Sequence, residues 1–239
     1  MEKPELIVKQ LDDRYWHIEE SSGGGGGVNC FLVLGEKKAM LVDSGFGHED
    51  LMTVVTGLTT LPIMLVNTHA DRDHVMGNQY FDTAYMHPAE YDRYHSAVGK
   101  DAPVEALWEG DVVDLGGVQL EVILIPGHTP GSIVLLDREN RILIGGDSVQ
   151  GGMVFMVGAG RNLSGYIGSM QKLKKIQGLF DRVYTGHGAM LEGSDMLDAL
   201  IAGALQLKNG EAEGEEAPGP FGDSGAKVYK IGRATFLYG

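Results

Sequence analysis

Short apolar runs, each bounded by Gly, Asp, Asn or Pro, recur along the first half of the chain at 6–8, 15–18, 30–34, 39–42, 64–67 and 84–86. Runs of this length and setting predict strands. A second group follows at 118–125, 133–136, 142–144 and 183–185. Helical spacing appears later. Tyr166, Ile167, Met170, Leu173, Ile176 and Phe180 recur every three or four residues, which predicts a helix with one apolar face. Met196, Leu197, Leu200, Ile201, Ala204 and Leu205 predict another, with Ser194 as N-cap and Gly210 just past its end. A third helix is expected over 49–58, and a closing hairpin over 226–231 and 234–238. Grouped strands with helices between and after them predict an α/β fold of packed sheets with helices outside.

Glycine, charge and length refine this picture. The pentaglycine Gly23 to Gly27 reads as a hairpin tip between two strands, because no helix or Lys-Ser/Thr follows to make it a phosphate cradle. Residues 211–223 are acidic and rich in Gly and Pro, which predicts a loop before the closing hairpin. A length of 239 residues without an internal repeat suits one domain spanning 1–239 with a core that needs no staples. The net charge of −14 argues against nucleic acid as a partner, since phosphate binding needs clustered Lys and Arg. Lone Cys30 cannot form an intramolecular disulfide and is expected as a buried core thiol in a reducing compartment. No apolar run reaches the ~18–20 residues that span a bilayer, and the start of the chain has no secretory pattern. A cytoplasmic protein without membrane contact is therefore expected, and self-association stays open.

The chemistry concentrates in one run, Thr68-His69-Ala70-Asp71-Arg72-Asp73-His74, directly after an apolar strand. Two imidazoles and two carboxylates this close offer a ready set of metal donors. Three more donors stand alone in glycine-rich settings: His128, Asp147 and His187. Seven such residues suffice for two divalent cations sharing one carboxylate.

At this point the sequence resembles the metallo-β-lactamase superfamily of hydrolases. Its signature is His-any-His-any-Asp-His, then a lone His, a lone Asp and a lone His, and the resemblance runs from the strand at 29–33 and the Asp43-Ser44-Gly45 turn to His187. It implies a four-layer αββα sandwich of two mixed β-sheets flanked by helices. It also implies a first cation on His69, Asp71 and His128 and a second on Asp73, His74 and His187, with Asp147 bridging. The signature's second histidine is Asp71 here. A carboxylate is a harder donor than imidazole, so the preference shifts from zinc toward manganese or iron. Its extra negative charge should also weaken the Lewis acidity of the first cation.

The resemblance implies a metal-dependent hydrolase in which a metal-bound hydroxide attacks a small thioester, ester or lactone, with Asp73 orienting the nucleophile. Spacings of 19 residues from His128 to Asp147 and 40 from Asp147 to His187 leave no room for a large insertion. Arg161 is a candidate clamp for a substrate carboxylate and Tyr166 a candidate donor to a substrate oxygen, although the helical spacing of Tyr166 suits the core. The stretch 153–157 is either a buried strand or the wall of an apolar cleft. His17, His48, His87 and His95 lie outside the motifs and suit surface or core roles. Asp43 is read as a turn hydrogen-bonding residue. Two other functions remain open: an iron-dependent oxidoreductase of the diiron type, since diiron proteins of this fold carry a carboxylate where Asp71 stands, and a non-catalytic metal-binding domain.

Overall fold

A computed structural model describes residues 6–22, 26–219, 223 and 225–239. Its first sheet has seven strands in chain order: β1 (Leu6–Gln10), β2 (Tyr15–Ser21), β3 (Gly27–Leu34), β4 (Ala39–Val42), β5 (Ile63–Val66), β6 (Ala84–Met86) and β7 (Val104–Ala106). Strands β1 to β4 pair antiparallel, and β4 to β7 pair parallel. The second sheet is built from β8 (Val112–Asp114), β9 (Gln119–Leu124), β10 (Ile133–Asp137), β11 (Ile142–Gly146), β13 (Arg182–Thr185) and β14 (Leu191–Gly193). Its order is β14-β13-β11-β10-β9-β8, antiparallel except where β13 joins β11. Both sheets are thus mixed, as expected.

Period-two side-chain alternation explains how these strands fill two layers at once. Phe31, Val33, Met40 and Val42 face Ile133, Leu135, Ile142 and Ile144 in the core between the sheets. The intervening residues Cys30, Leu32, Ala39 and Leu41 face outward under α1 (Leu51–Leu58) and α3 (Tyr91–Val98). On the other side, Val134, Leu136 and Leu143 pack under α4 (Leu163–Lys175) and α5 (Met196–Asn209). Strands buried on both faces read as unbroken apolar runs, which is why these were legible in the sequence. The layer order is helix, sheet, sheet, helix. Cys30 is buried, in keeping with its expected core role.

Several details differ from expectation. The helix at 163–175 is capped by Asn162 and ends before Phe180. Ser194 is not an N-cap: α5 starts after Asp195, and no side chain caps it. The closing hairpin, β16 (Lys227–Ile231) and β17 (Ala234–Tyr238), forms as expected, but within a third sheet. There β17 pairs parallel with β12 (Met153–Met156), and β15 (Glu215–Glu216) within the acidic segment pairs with β16. Gly23 to Gly25 of the pentaglycine lie outside the described residues, as do Met1 to Glu5. Ser21 pairs with Gly27 across β2 and β3, so the flanking hairpin is present. Among the described residues no helix is long and apolar enough to cross a membrane.

Candidate metal centre

All seven donor candidates leave strands at one end of the sandwich. Strands β9, β11 and β13 run in the same direction, because β10 is antiparallel to both β9 and β11, while β13 is parallel to β11. Their C-terminal ends lead to His128, Asp147 and His187. Strand β5 leads to His69 and to Asp71 on extended backbone, before the short helix α2 (Arg72–Val75) carries Asp73 and His74 into a neighbouring group. Three overlapping groups result, each with ligand atoms within 4.8 Å of one another: His69/Asp71/His128, His69/His74/Asp147 and Asp73/His74/His187.

The distances define two pockets sharing one carboxylate. In the first, His69 Nε2 lies 3.2 Å from His128 Nε2, and Asp71 Oδ2 lies 3.4 Å from His128 Nε2 and 3.6 Å from His69 Nε2. In the second, His74 Nε2 lies 3.3 Å from His187 Nε2, and Asp73 Oδ2 lies 3.2 Å from His187 Nε2. Asp147 stands between them. Its Oδ1 is 3.2 Å from His74, and its Oδ2 is 3.3 Å from His187 and 3.7 Å from His128.

Outer partners fix which nitrogen of each imidazole faces inward. Nδ1 of His128 meets the Phe155 carbonyl at 3.0 Å, and Nδ1 of His187 meets the Gly27 carbonyl at 2.6 Å. Carbonyls only accept, so both rings carry their proton outward. Nδ1 of His74 meets Asp43 Oδ2 at 2.9 Å, and Nδ1 of His69 meets Thr68 Oγ1 at 3.0 Å. The Thr68 hydroxyl donates to Asp43 Oδ2 at 2.8 Å, so it accepts from His69. In its neutral form each ring so held turns an Nε2 lone pair inward, as metal-ligating histidines held by a second acceptor do. Facing lone pairs and carboxylates repel unless a cation lies between them. Buried Asp147 Oδ1 also has no hydrogen-bond partner among the described residues. This donor set fits divalent cations.

The electrostatics agree. Burial alone would raise Asp147, but His187 and His74 beside it hold its carboxyl well below the usual range. Burial alone would lower His187, yet Asp147 and Asp73 lift it to about 10. The second pocket thus draws positive charge. His128 moves the other way, pushed down by burial, and stays a neutral donor.

Asp71 has company that the sequence did not reveal. Arg93 Nη1, from α3, donates to Asp71 Oδ1 at 2.9 Å, and Arg161 Nη2 donates to Asp71 Oδ2. Two guanidiniums therefore offset the carboxylate whose charge was expected to weaken the first cation. This also corrects the expected role of Arg161. Its Nη1 donates to the His128 carbonyl at 2.6 Å and its Nη2 is taken by Asp71, so it is committed to the site rather than free to clamp a substrate carboxylate. Tyr166 is corrected too. It is fully buried, its hydroxyl donates to the Ser148 carbonyl at 2.8 Å, and it does not line the cleft above the pockets.

Two further residues position the pockets. Asp43, expected only to stabilise a turn, orients His74 directly and His69 through Thr68. Buried Glu90 accepts from the Ala70 amide at 2.8 Å and the Gly131 amide at 2.7 Å, tying the His69–Asp71 loop to the His128 loop. Gly127 makes the His128 loop possible. Its φ is +145°, and a Cβ would lie 2.3 Å from the Tyr166 backbone. Gly127→Ala is therefore expected to destabilise the fold by about 3 kcal/mol, as overpacking and backbone strain add. A shift in the denaturant midpoint checks this; an unchanged midpoint would show that α4 gives way freely.

Above the pockets opens a cleft of about 840 Å³. Asp71, Asp73, Asp147 and His187 contribute to its floor, and Phe46, Met153, Phe155 and Val157 make an apolar wall. The ambiguous stretch is thus both strand and wall: in β12, Met153 and Phe155 are half-buried at the cleft, while Val154 and Met156 point into the core.

Comparisons with known proteins agree with this geometry. Acyl-coenzyme A thioesterase MBLAC2 of Gallus gallus is 31% identical over 227 residues, covering 79% of this chain and 82% of that protein. Hydroxyacylglutathione hydrolase GloC of Haemophilus influenzae is 29% identical over 145 residues, covering 52% of this chain and 68% of that protein. Among solved structures, a metallo-beta-lactamase from Pontibacter korlensis shares the fold, with a TM-score of 0.73 at 20% identity over 84% of this chain and 99% of that one. The sequence model of the metallo-beta-lactamase superfamily matches residues 23–187, from the β2–β3 hairpin to the last donor histidine. With that match over more than half its length, the chain belongs to the metallo-beta-lactamase superfamily.

Proposed function

We propose that this protein is a cation-dependent hydrolase of small acyl thioesters. The observation carrying this reading is the convergence of four outward-pinned imidazoles and three carboxylates beneath an apolar cleft wall. His69, Asp71 and His128 would hold one divalent cation and Asp73, His74 and His187 another, with Asp147 between them. Zinc is the first candidate for both positions, and manganese or iron suits the carboxylate of Asp71. Bound there, the cations supply Lewis acidity that lowers the pKa of water and polarises a carbonyl oxygen.

The protein's own groups do the rest. Asp73 lies at the cleft floor with Oδ2 turned to His187, and its carboxyl is held below the usual range. It can orient the attacking water, accept its proton and pass that proton to the leaving group. Asp71 and Asp147 are both engaged with imidazoles, and Asp71 also with guanidiniums, which leaves Asp73 as the proton carrier. A carboxyl held low by its histidine neighbours is only briefly protonated. This favours a leaving group that departs without strong acid. A thiol, with an ordinary pKa of about 8.5, is such a group, whereas an alkoxide is far more basic. The wall of Phe46, Met153, Phe155 and Val157 suits an apolar acyl chain lying along β12. The acyl-coenzyme A thioesterase and hydroxyacylglutathione hydrolase among the relatives support hydrolysis over the iron redox alternative.

Assays of the zinc- and manganese-loaded protein on matched acyl thioesters, oxygen esters and lactones test this. Thioester hydrolysis abolished by a chelator is expected, with oxygen esters slower. Phe155→Ala should raise KM for a long acyl chain about tenfold while changing kcat little, as removing uniform binding does. Silence toward every thioester under both cations would overturn the proposal.

A further inference from the structure

We propose that the two cation positions fill in a fixed order, the pocket of Asp73, His74, His187 and Asp147 first and that of His69, Asp71 and His128 last, because Arg93 and Arg161 already hold the Asp71 carboxylate. The inference rests on the metal-site reading but not on the identity of the substrate.

The asymmetry lies in what stands behind each pocket. Both oxygens of Asp71 are taken: Oδ1 by Arg93 Nη1 at 2.9 Å and Oδ2 by Arg161 Nη2. Oδ2 is also the oxygen facing His128 and His69, at 3.4 and 3.6 Å. An incoming cation must share it with a guanidinium. Neither arginine can simply swing away. Arg161 is only 10% exposed and spends Nη1 on the His128 carbonyl, while Arg93 Nη2 donates to the Ala159 carbonyl at 2.5 Å. A dication entering this pocket therefore meets two fixed positive charges at close range, where partial burial limits screening.

The second pocket has the opposite backing. Behind His74, at 2.9 Å from Nδ1, lies the Asp43 carboxylate, which makes the imidazole a stronger donor. Among the described residues, no Lys or Arg pairs with Asp73 or Asp147; their ion-pair partners are histidines. One pocket is thus flanked by two guanidiniums and the other directly by a carboxylate, which reaches the first pocket only through the Thr68 hydroxyl, while Asp147 belongs to both. Consequently the first position exchanges with the cation supply, and at limiting supply the protein carries one cation per chain, in the second pocket.

Titration of the metal-free 239-residue chain with Zn²⁺ by isothermal calorimetry tests this. Two binding events are expected, separated by on the order of 10–100-fold in affinity, the scale on which outer groups tune metal sites. His128→Ala should remove the weaker event and His187→Ala the tighter one. Arg93 is 31% exposed and outside the donor set, so Arg93→Gln gives a readout even if the histidine variants fold poorly. It should tighten the weaker event and leave the tighter one in place. Two events of equal affinity would overturn the ordering, as would loss of the tighter event in His128→Ala. An Arg93→Gln variant whose weaker event is unchanged or weaker still would overturn it as well. A protein that binds no Zn²⁺ at all would sink the metal-site reading too, so the two failures are distinguishable.

Discussion

Asp147→Asn is expected to lower thioester turnover by roughly 10³-fold or more, on the scale seen when a site's central electrostatic group is lost, while the fold survives. Asp147 is the one donor common to both pockets, reaching His74 through Oδ1 and His187 and His128 through Oδ2. Asparagine keeps the shape but removes the charge, and replaces one oxygen with an amide that donates rather than accepts. In the cation-free protein Asp147 pairs with His74 through Oδ1 and with His187 through Oδ2, and the pKa of both imidazoles is raised against the lowering effect of burial. Asparagine lacks the charge for that pairing, so the thermal unfolding temperature without cation should fall at neutral pH. Bound cation should fall to one per chain or fewer by elemental analysis. Turnover within tenfold of the parent, with two cations retained, would remove Asp147 from its bridging role.

How much of this was legible in the sequence depends on the range over which each residue acts. His69, Asp71, Asp73 and His74 are close in the chain, and a strand end followed by one helical turn divides them between two pockets. Their grouping needs only local geometry. His128, Asp147 and His187 could be matched by order and glycine context, because each ends a strand of one sheet. The arginines on Asp71 were not legible. Arg93 sits on the eight-residue helix α3, too short to stand out by periodicity, and reaches Asp71 only across the fold. Charge counted along the sequence therefore made the first pocket too negative. Glu90 is hidden for the same reason: its buried carboxylate serves amides 20 and 41 residues away. β12 was ambiguous because its four residues alternate between core and cleft.

Strand β12 also shows how the chain beyond the family match bears on the site. The Phe155 carbonyl that orients His128 belongs to β12, which is paired along its length with β17 of the closing hairpin. Residues 227–238 thus steady a donor of the first pocket from outside the two main sheets. The histidines are oriented from two sheets: the β12 carbonyl of the third sheet for His128, and from the first sheet the β3 carbonyl for His187 and Asp43 after β4 for His74 and, through Thr68, for His69.

That dependence makes Asp43→Asn the second large expected effect. Asp43 has φ +62°, a conformation asparagine tolerates well, so backbone strain is not the variable. Its Oδ1 accepts from the Thr68 amide at 2.8 Å, while Oδ2 accepts from the Thr68 hydroxyl at 2.8 Å and from His74 Nδ1 at 2.9 Å. Asparagine must place its amide nitrogen on one side. Toward the Thr68 amide, donor would face donor. Toward His74, the Thr68 hydroxyl must accept from the amide and turn its own proton to His69 Nδ1, so both His74 and His69 shift their proton to Nε2 and present donors to the pockets. The second arrangement keeps these buried groups paired yet removes a lone pair from each cation position, the tighter one included. Zn²⁺ affinity there should fall about 10–100-fold, with folding stability changed by only about 1 kcal/mol. Asp43→Ala differs, because it leaves the Thr68 amide, the Thr68 hydroxyl and His74 Nδ1 without acceptors and should cost about 3 kcal/mol or more of stability. Paired calorimetric titration and chemical unfolding of the two variants separate orientation from stability. Unchanged tight-site affinity in Asp43→Asn would mean that His74 does not need this carboxylate to present its lone pair.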